Sequence, residues 1–156
     1  MSIRETLTDY AKGDRLELFW KLFFLRQRTA SKPLRDVLTF FLYRMASWHG
    51  GYIGRDAVIH GRPSLPHGLH GIYISRYASI GTDCRIYQNA TIGEVDGKAP
   101  HIGNHCLIGA GAVITGGVKI GDFAKIGAGA VVFSDVPSFA TAAAQPPRII
   151  SRPPGQ

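Results

Sequence analysis

The stretch IGNHCLIGAGAVITGGVKIGDFAKIGAGAVV, residues 102–132, fixes the fold class of this chain because an aliphatic residue returns in it at every sixth position. The aliphatic positions are Ile102, Ile108, Ile114, Ile120, Ile126 and Val132. The residue two places before each of them is usually small, and the residue after it is often glycine. A period of six fits neither the 3.6-residue turn of an α-helix nor the simple alternation of a hairpin strand.

The same period extends towards the N-terminus in two further sets. They are Ile74, Ile80, Ile86 and Ile92, and then Ile53, Ile59 and Leu65. This pattern indicates a solenoid with three short strands to a coil, in which the aliphatic and the small residues both face the interior. We therefore predict an all-β solenoid, a parallel β-helix of hexapeptide repeats, over residues 51–150, with a short tail at 151–156. Cys84 and Cys106 occupy small inward positions, so we expect them to be buried and structural.

Two interruptions break the period, and both contain histidine. Three extra residues lie between Leu65 and Ile74, and four lie between Ile92 and Ile102. Interruptions of a regular solenoid are expected to bulge outward, where a site can form without disturbing the core.

Three histidines of these interruptions are candidate catalytic residues. A neutral imidazole can accept a proton from a hydroxyl near neutral pH, which makes His67 the first candidate for a general base and His70 the second. His101 lies in the other interruption. Its spacing from His105 does not clearly place both side chains on one face, so we expect no metal site.

Residues 1–50 are predicted to be helical. Leu16, Phe19 and Trp20 begin an apolar stripe at three- and four-residue steps, and the segment 29–33 interrupts it before a proline. The second helix has its predicted apolar face at Leu34, Val37, Leu38, Phe41, Leu42 and Met45. The rest of the protein, a neighbouring subunit or a membrane surface could cover these faces.

Composition narrows the classes of partner. The 156 residues carry a formal net charge of +7 without a dense basic run or a nucleic-acid motif, which favours a polyanionic small molecule or an anionic surface over nucleic acid. The N-terminus has no signal-peptide pattern, and no apolar run is long enough to span a membrane. We expect a cytoplasmic protein.

The segment LPHGLHGIYI, residues 65–74, resembles the active-site coil of serine acetyltransferases and their capsular-polysaccharide relatives. The segments GKAPHIG (97–103), IGAGA (108–112), KIGAGA (125–130) and AAQPPRII (143–150) resemble the later coils of that family. The resemblance implies a left-handed β-helix, a homotrimer, and acetyl-CoA as co-substrate in the groove between adjacent β-helices.

The resemblance also implies roles for individual residues. His67 would deprotonate the acceptor hydroxyl, and His70 and His101 could assist. The pantetheine arm of CoA would pass small residues, and two basic side chains would lie near its phosphates; these cofactor-binding residues are Ala110, Gly111, Ala128 and Gly129, with Lys125 and Arg148.

Two departures from the family pattern bear on the acceptor. Tyr52 stands where serine acetyltransferases have an aspartate, and Ala99 stands where their second histidine precedes a proline. We therefore predict an acetyl-CoA-dependent O-acetyltransferase that acts on a sugar or polysaccharide hydroxyl. One alternative is L-serine O-acetylation in cysteine synthesis, which an acidic group reaching His67 would favour, with Asp56 the nearest in sequence. The other alternative is a non-catalytic β-helix that serves as a binding or scaffold protein.

Overall fold

The computed structural model describes residues 16–146 and 149–150. From Tyr52 onward the chain winds through about four turns of a left-handed parallel β-helix of hexapeptide repeats, which confirms the predicted fold class. The strands are β1 Tyr52–Ile53, β2 Val58–Ile59, β3 Tyr73–Ile74, β4 Ser79–Ile80, β5 Arg85–Ile86, β6 Thr91–Gly93, β7 His101–Ile102, β8 Leu107–Ile108, β9 Val113–Thr115, β10 Lys119–Ile120, β11 Lys125–Ile126, β12 Val131–Val132 and β13 Thr141–Ala142.

Three parallel sheets form the sides of the coil. Sheet 1 has the order β1-β3-β6-β9-β12, sheet 2 the order β10-β7-β4-β2, and sheet 3 the order β13-β11-β8-β5. Consecutive strands along the chain therefore belong to different sheets, and each strand pairs with its equivalent one coil away. Each edge of the triangular prism is a column of stacked turns.

The interior is built from the residues that the period predicts. The aliphatic residues of all three sets are buried, except that Leu65 is only half-buried, and the small residues two places earlier are also buried. Cys84 and Cys106 are fully buried and unpaired, as expected of structural residues. Contact with the Cys84 thiol, together with burial, raises the pKa of Cys106 above its ordinary value, which keeps it in the unreactive thiol form.

The glycines that follow the aliphatic residues are required by close approach of neighbouring coils. A Cβ on Gly54 would lie 2.3 Å from the Arg76 backbone, and one on Gly109 would lie 2.5 Å from the backbone nitrogen of Ala128. The left-handed backbone conformations of the corners fall on other residues, among them Asn89 and Gly111.

The two interruptions differ in their packing. In the second, the turn from residue 94 to residue 98 is exposed and closed by mutual backbone hydrogen bonds of 2.9 Å between Val95 and Lys98, as the outward bulge predicts. In the first, Leu69 is 0% exposed and points into the core. The expectation that the whole first interruption bulges outward was therefore wrong for Leu69, which anchors the turn by burying its side chain.

A helical hairpin closes the first coil. Helix α1 spans Glu17–Arg28 and helix α2 spans Lys32–Trp48, with the break at the predicted place. Phe19, Trp20 and Phe23 of α1 are buried against the core. The Gln27 side chain accepts a hydrogen bond from the Ile59 backbone N–H (3.0 Å) and donates one to its carbonyl (3.1 Å). Since β2 is the edge strand of sheet 2, this carboxamide occupies the place of the next strand.

The apolar face of α2 is narrower than predicted. Leu38, Leu42 and Ala46 form the buried stripe, at four-residue steps. The predicted face residues Leu34, Val37 and Phe41 are exposed, because α1 and β1 together cover only one stripe of the helix. Among the described residues no helix is long and apolar enough to cross a membrane, and contact with a membrane surface stays a prediction.

Replacing Ile114 with Asp tests the register. Ile114 is fully buried in β9, an internal strand of sheet 1, so an uncompensated carboxylate there is expected to abolish cooperative folding. Thermal unfolding followed by circular dichroism measures this. Lys119→Asp is the control, since Lys119 points outward in β10, the next strand along the chain. A soluble Ile114→Asp protein that unfolds cooperatively would contradict the register.

Candidate active site

His67 and His70 lie on the turn that joins the first coil to β3, on the edge between sheet 3 and sheet 1. We call this edge the histidine corner, and it comprises the turns 65–71, 87–90, 109–112 and 127–130. The turn is closed by a hydrogen bond from the Gly68 N–H to the Leu65 carbonyl (3.1 Å). With Leu69 buried, both histidine side chains project outward and are exposed.

His67 has no hydrogen bond or ion pair within the described chain. Its nearest aromatic neighbour is Tyr87, with ring centroids 6.2 Å apart and tilted at 48°. Asp56, the acidic residue nearest in sequence, does not pair with His67. Its carboxylate contacts Arg55 at 3.1 Å and Arg26 at 3.6 Å, on the edge between sheets 1 and 2. The imidazole of His67 is therefore open to solvent, and no carboxylate within residues 16–146 and 149–150 orients it.

The structure does not bring His101 to the same place. His101 lies in β7 of sheet 2, the face opposite the histidine corner, with its Nδ1 3.3 Å from the Ala99 carbonyl oxygen. Within one chain only His67 and His70 come together. Among the described residues no three His, Cys, Asp or Glu side chains are placed to hold a metal ion.

The small residues predicted to contact CoA lie on the histidine corner as well. Hydrogen bonds link its four turns in sequence: Asn89 N–H to the His70 carbonyl (2.9 Å), Gly111 N–H to Gln88 (3.0 Å), and Gly129 N–H to Ala110 (2.9 Å). The turn that carries His67 is thus the first of a continuous column.

The surface of this column is open at its two later turns. Gly111 and Gly129 have φ of +66° and +67°, and a Cβ on either would meet nothing within 4 Å. Ala128 is exposed and Ala110 half-buried. A narrow, extended ligand can therefore approach the backbone closely along this edge.

Two basic side chains border the column on sheet 3. Lys125 is in register with Leu107, and Leu107 is in register with Arg85, so both cations are on the outer face of one sheet. Arg85 was not among the residues predicted from the sequence. It precedes Ile86 as Lys125 precedes Ile126, and this shared register position could have identified it. Arg148, the other predicted phosphate ligand, lies outside the described residues.

The corner also contains a buried polar atom without a partner. The side-chain oxygen of Gln88 is buried and accepts no hydrogen bond from the described residues. Leaving such an acceptor unsatisfied costs about 1–3 kcal/mol.

This chain is similar to proteins of known family. The family model of bacterial transferase hexapeptides (six repeats) matches residues 99–134. The serine acetyltransferase of Staphylococcus aureus strain COL is 32% identical over 97% of this chain and 70% of its own length. That of Synechococcus elongatus is 41% identical over 56% of this chain and 37% of its own.

Solved structures give the same fold. A serine acetyltransferase in complex with CoA has a TM-score of 0.72 at 29% identity, covering 85% of this chain and 55% of that one. The serine acetyltransferase of Neisseria gonorrhoeae in complex with serine has a TM-score of 0.65 at 38% identity, covering 72% of this chain and 47% of that one. The chain thus spans about half the length of the solved structures that it matches.

Lys125→Ala tests the prediction that CoA, the acetyl donor, lies on the histidine corner beside Lys125. Removing one exposed cation beside a phosphate-bearing ligand is expected to weaken CoA binding by about two- to fivefold, measured by calorimetric titration. Lys21→Ala is the control, because Lys21 is an exposed lysine of helix α1 and lies on none of the three sheets. Equal CoA affinities of the two variants would contradict the placement of CoA beside Lys125.

Proposed function

Because the chain belongs to the serine acetyltransferase family of hexapeptide-repeat acyltransferases, we propose that it transfers an acetyl group from acetyl-CoA to the hydroxyl of L-serine. One observation supports this most: the exposed imidazole of His67 lies on the same column of turns as the open Gly111 and Gly129 backbone. A base and an open strip of backbone, along which an extended thioester could lie, are thereby aligned. The relatives, which are serine acetyltransferases by name, support serine as the acceptor, so serine replaces the sugar as our first candidate.

In this proposal His67 accepts the proton of the serine hydroxyl as its oxygen attacks the thioester carbonyl carbon. The resulting tetrahedral oxyanion collapses and expels CoA as a thiolate. The imidazolium of His67 returns the proton to that sulfur, which yields O-acetylserine and free CoA. A positioned base contributes on the order of 100- to 10,000-fold to such a rate.

We also propose that the active unit is a homotrimer. Among the residues that the structure describes, His67 has no polar partner, and His101 lies on the opposite face, so a neighbouring subunit could present its sheet 2 to this histidine corner. Exposed apolar side chains on and beside sheet 1, Tyr73 at 44% and Val131 at 63%, suit burial between subunits.

His67→Ala tests the mechanism. Turnover, followed as thiol release from acetyl-CoA with serine, is expected to fall at least about 100-fold, while CoA binding and the sedimentation coefficient stay unchanged. His60→Ala is the control, since His60 is exposed but lies off the histidine corner. Near-normal turnover of His67→Ala would remove His67 from the mechanism. A wild-type chain that fails to bind CoA would instead support a non-catalytic scaffold.

A sugar hydroxyl is the second candidate acceptor, and Tyr52 favours it. Tyr52 stacks between Tyr43 and Tyr73, with ring centroids 5.5 Å and 5.0 Å apart. A hydrogen bond with Tyr43, together with burial, raises the pKa of Tyr52 to about 12, so the phenol is neutral at physiological pH. Where the family pattern has an aspartate, this chain thus has no negative charge to attract the ammonium group of serine.

Tyr52→Asp separates the two acceptors. If serine is the acceptor, the new carboxylate is expected to raise kcat/KM for serine by up to about fivefold, and the ring-preserving control Tyr52→Phe is expected to leave it unchanged. The measurement is thiol release with serine, simple sugars and nucleotide sugars. Release by the wild-type chain with a sugar but not with serine would reject serine and establish the second candidate.

A further inference from the structure

A cleft lies between the helical hairpin and the first coil, away from the histidine corner. Two adjoining recesses of about 280 Å³ and 350 Å³ share Arg26, Arg35, Arg55 and Asp56, and the larger adds Lys32 and Asp36. Arg26 comes from the end of α1, Lys32 and Arg35 from the start of α2, and Arg55 from the turn after β1. The cleft therefore lies at the junction of hairpin and β-helix.

The charges around the larger recess do not balance. Four cations face two carboxylates, which leaves a net charge of +2. Asp56 is already bound by Arg26 and Arg55. Within residues 16–146 and 149–150, the side chains of Lys32 and Arg35 form neither an ion pair nor a hydrogen bond. The two cations that no carboxylate neutralises thus converge on the same recess.

The guanidinium of Arg26 forms one wall of the cleft, and hydrogen bonds hold its positive charge in place. It is 7% exposed, its Nε donates to the Thr39 hydroxyl at 2.6 Å, and one terminal nitrogen donates to the Arg55 carbonyl. A cation held in this way does not need to be ordered when an anion binds, and it is less screened than a cation in open water.

The helix that starts at the cleft adds to the positive potential. Helix α2 has no acidic residue in its first turn, and a proline occupies one of its first two positions. The partial positive charge of its N-terminus is therefore not offset by a neighbouring carboxylate within that turn.

The cleft is distinct from the active-site edge. Helix α2 has 17 residues and is about 25 Å long, and its far end leads to Gly50, whose carbonyl accepts a hydrogen bond from Gly71 on the histidine corner. The N-terminal turn of α2 lines the cleft together with Arg55 and Asp56, which belong to the turn between sheets 1 and 2. The cleft therefore lies on a different edge of the β-helix from the histidine corner, which joins sheets 3 and 1.

We propose that this cleft binds a small dianionic oxyanion, inorganic phosphate or a small phosphate monoester, held by Lys32, Arg35 and Arg55 against the wall formed by Arg26. A net charge of +2 matches a dianion. Since the ligand contacts both the hairpin and the first coil, its binding stabilises the attachment of the hairpin to the β-helix. The proposal does not depend on the acceptor or on acetyl transfer.

Calorimetric titration with inorganic phosphate, and separately with glycerol 3-phosphate, tests this site in the full chain at constant ionic strength maintained with sodium chloride. Saturable binding is expected, together with a phosphate-dependent rise of Tm. Arg35→Gln is expected to weaken the Kd at least about tenfold. Arg44→Gln is the matched control, because Arg44 is an exposed arginine of the same helix outside the cleft. Lys32→Gln is a second variant if Arg35→Gln does not fold.

The outcomes are distinct from those of the proposed function. Binding retained in the presence of saturating CoA supports a separate site, whereas loss of phosphate binding on adding CoA would reject it and assign the phosphate to the nucleotide site. No saturable binding, or equal affinities in Arg35→Gln and Arg44→Gln, would overturn the proposal. Thiol release without phosphate is expected to be the same in Arg35→Gln as in the wild-type chain.

Discussion

The structure depends on a narrow interior in which identical positions of successive coils stack directly on one another. Parallel strands lie about 4.8 Å apart, so each inward isoleucine contacts the isoleucine of the next coil and leaves no space for a polar group. The same spacing requires small residues beside the isoleucines and glycine where two coils meet most closely, as at Gly54 and Gly109. Because every coil repeats these contacts, the turns at each edge are also placed in register.

The histidine corner is a direct product of this register. The interruption after Leu65 adds residues to the coil, and the burial of Leu69 fixes how they protrude, so His67 stands at a defined point on an otherwise repetitive edge. The later turns of the same edge keep the open backbone of Gly111 and Gly129. Among the described residues, one chain thus supplies a base and an open strip of backbone but no carboxylate that contacts the base.

The sequence predicted the β-helix, the break between the helices and nearly all inward residues, because these follow from a strict period. It did not predict the inward turn of Leu69, since the interruption has no period to follow. It overestimated the apolar face of α2, where Leu34 and Phe41 are exposed, because helical periodicity does not reveal how narrow the covering surface is. The cleft was also missed, because Arg26, Arg35 and Arg55 are far apart in sequence and meet only when the hairpin folds back.

The carboxamide of Gln27 affects how the β-helix ends. A stack of parallel strands presents unpaired N–H and C=O groups at its end, and such an edge can template the addition of another chain. Gln27 hydrogen-bonds both the backbone N–H and the carbonyl of Ile59, and it thereby ends sheet 2. The aromatic residues of α1 pack over the end of the core. The hairpin thus covers the N-terminal end of the stack at Ile59, the kind of strand edge that could otherwise pair with another chain.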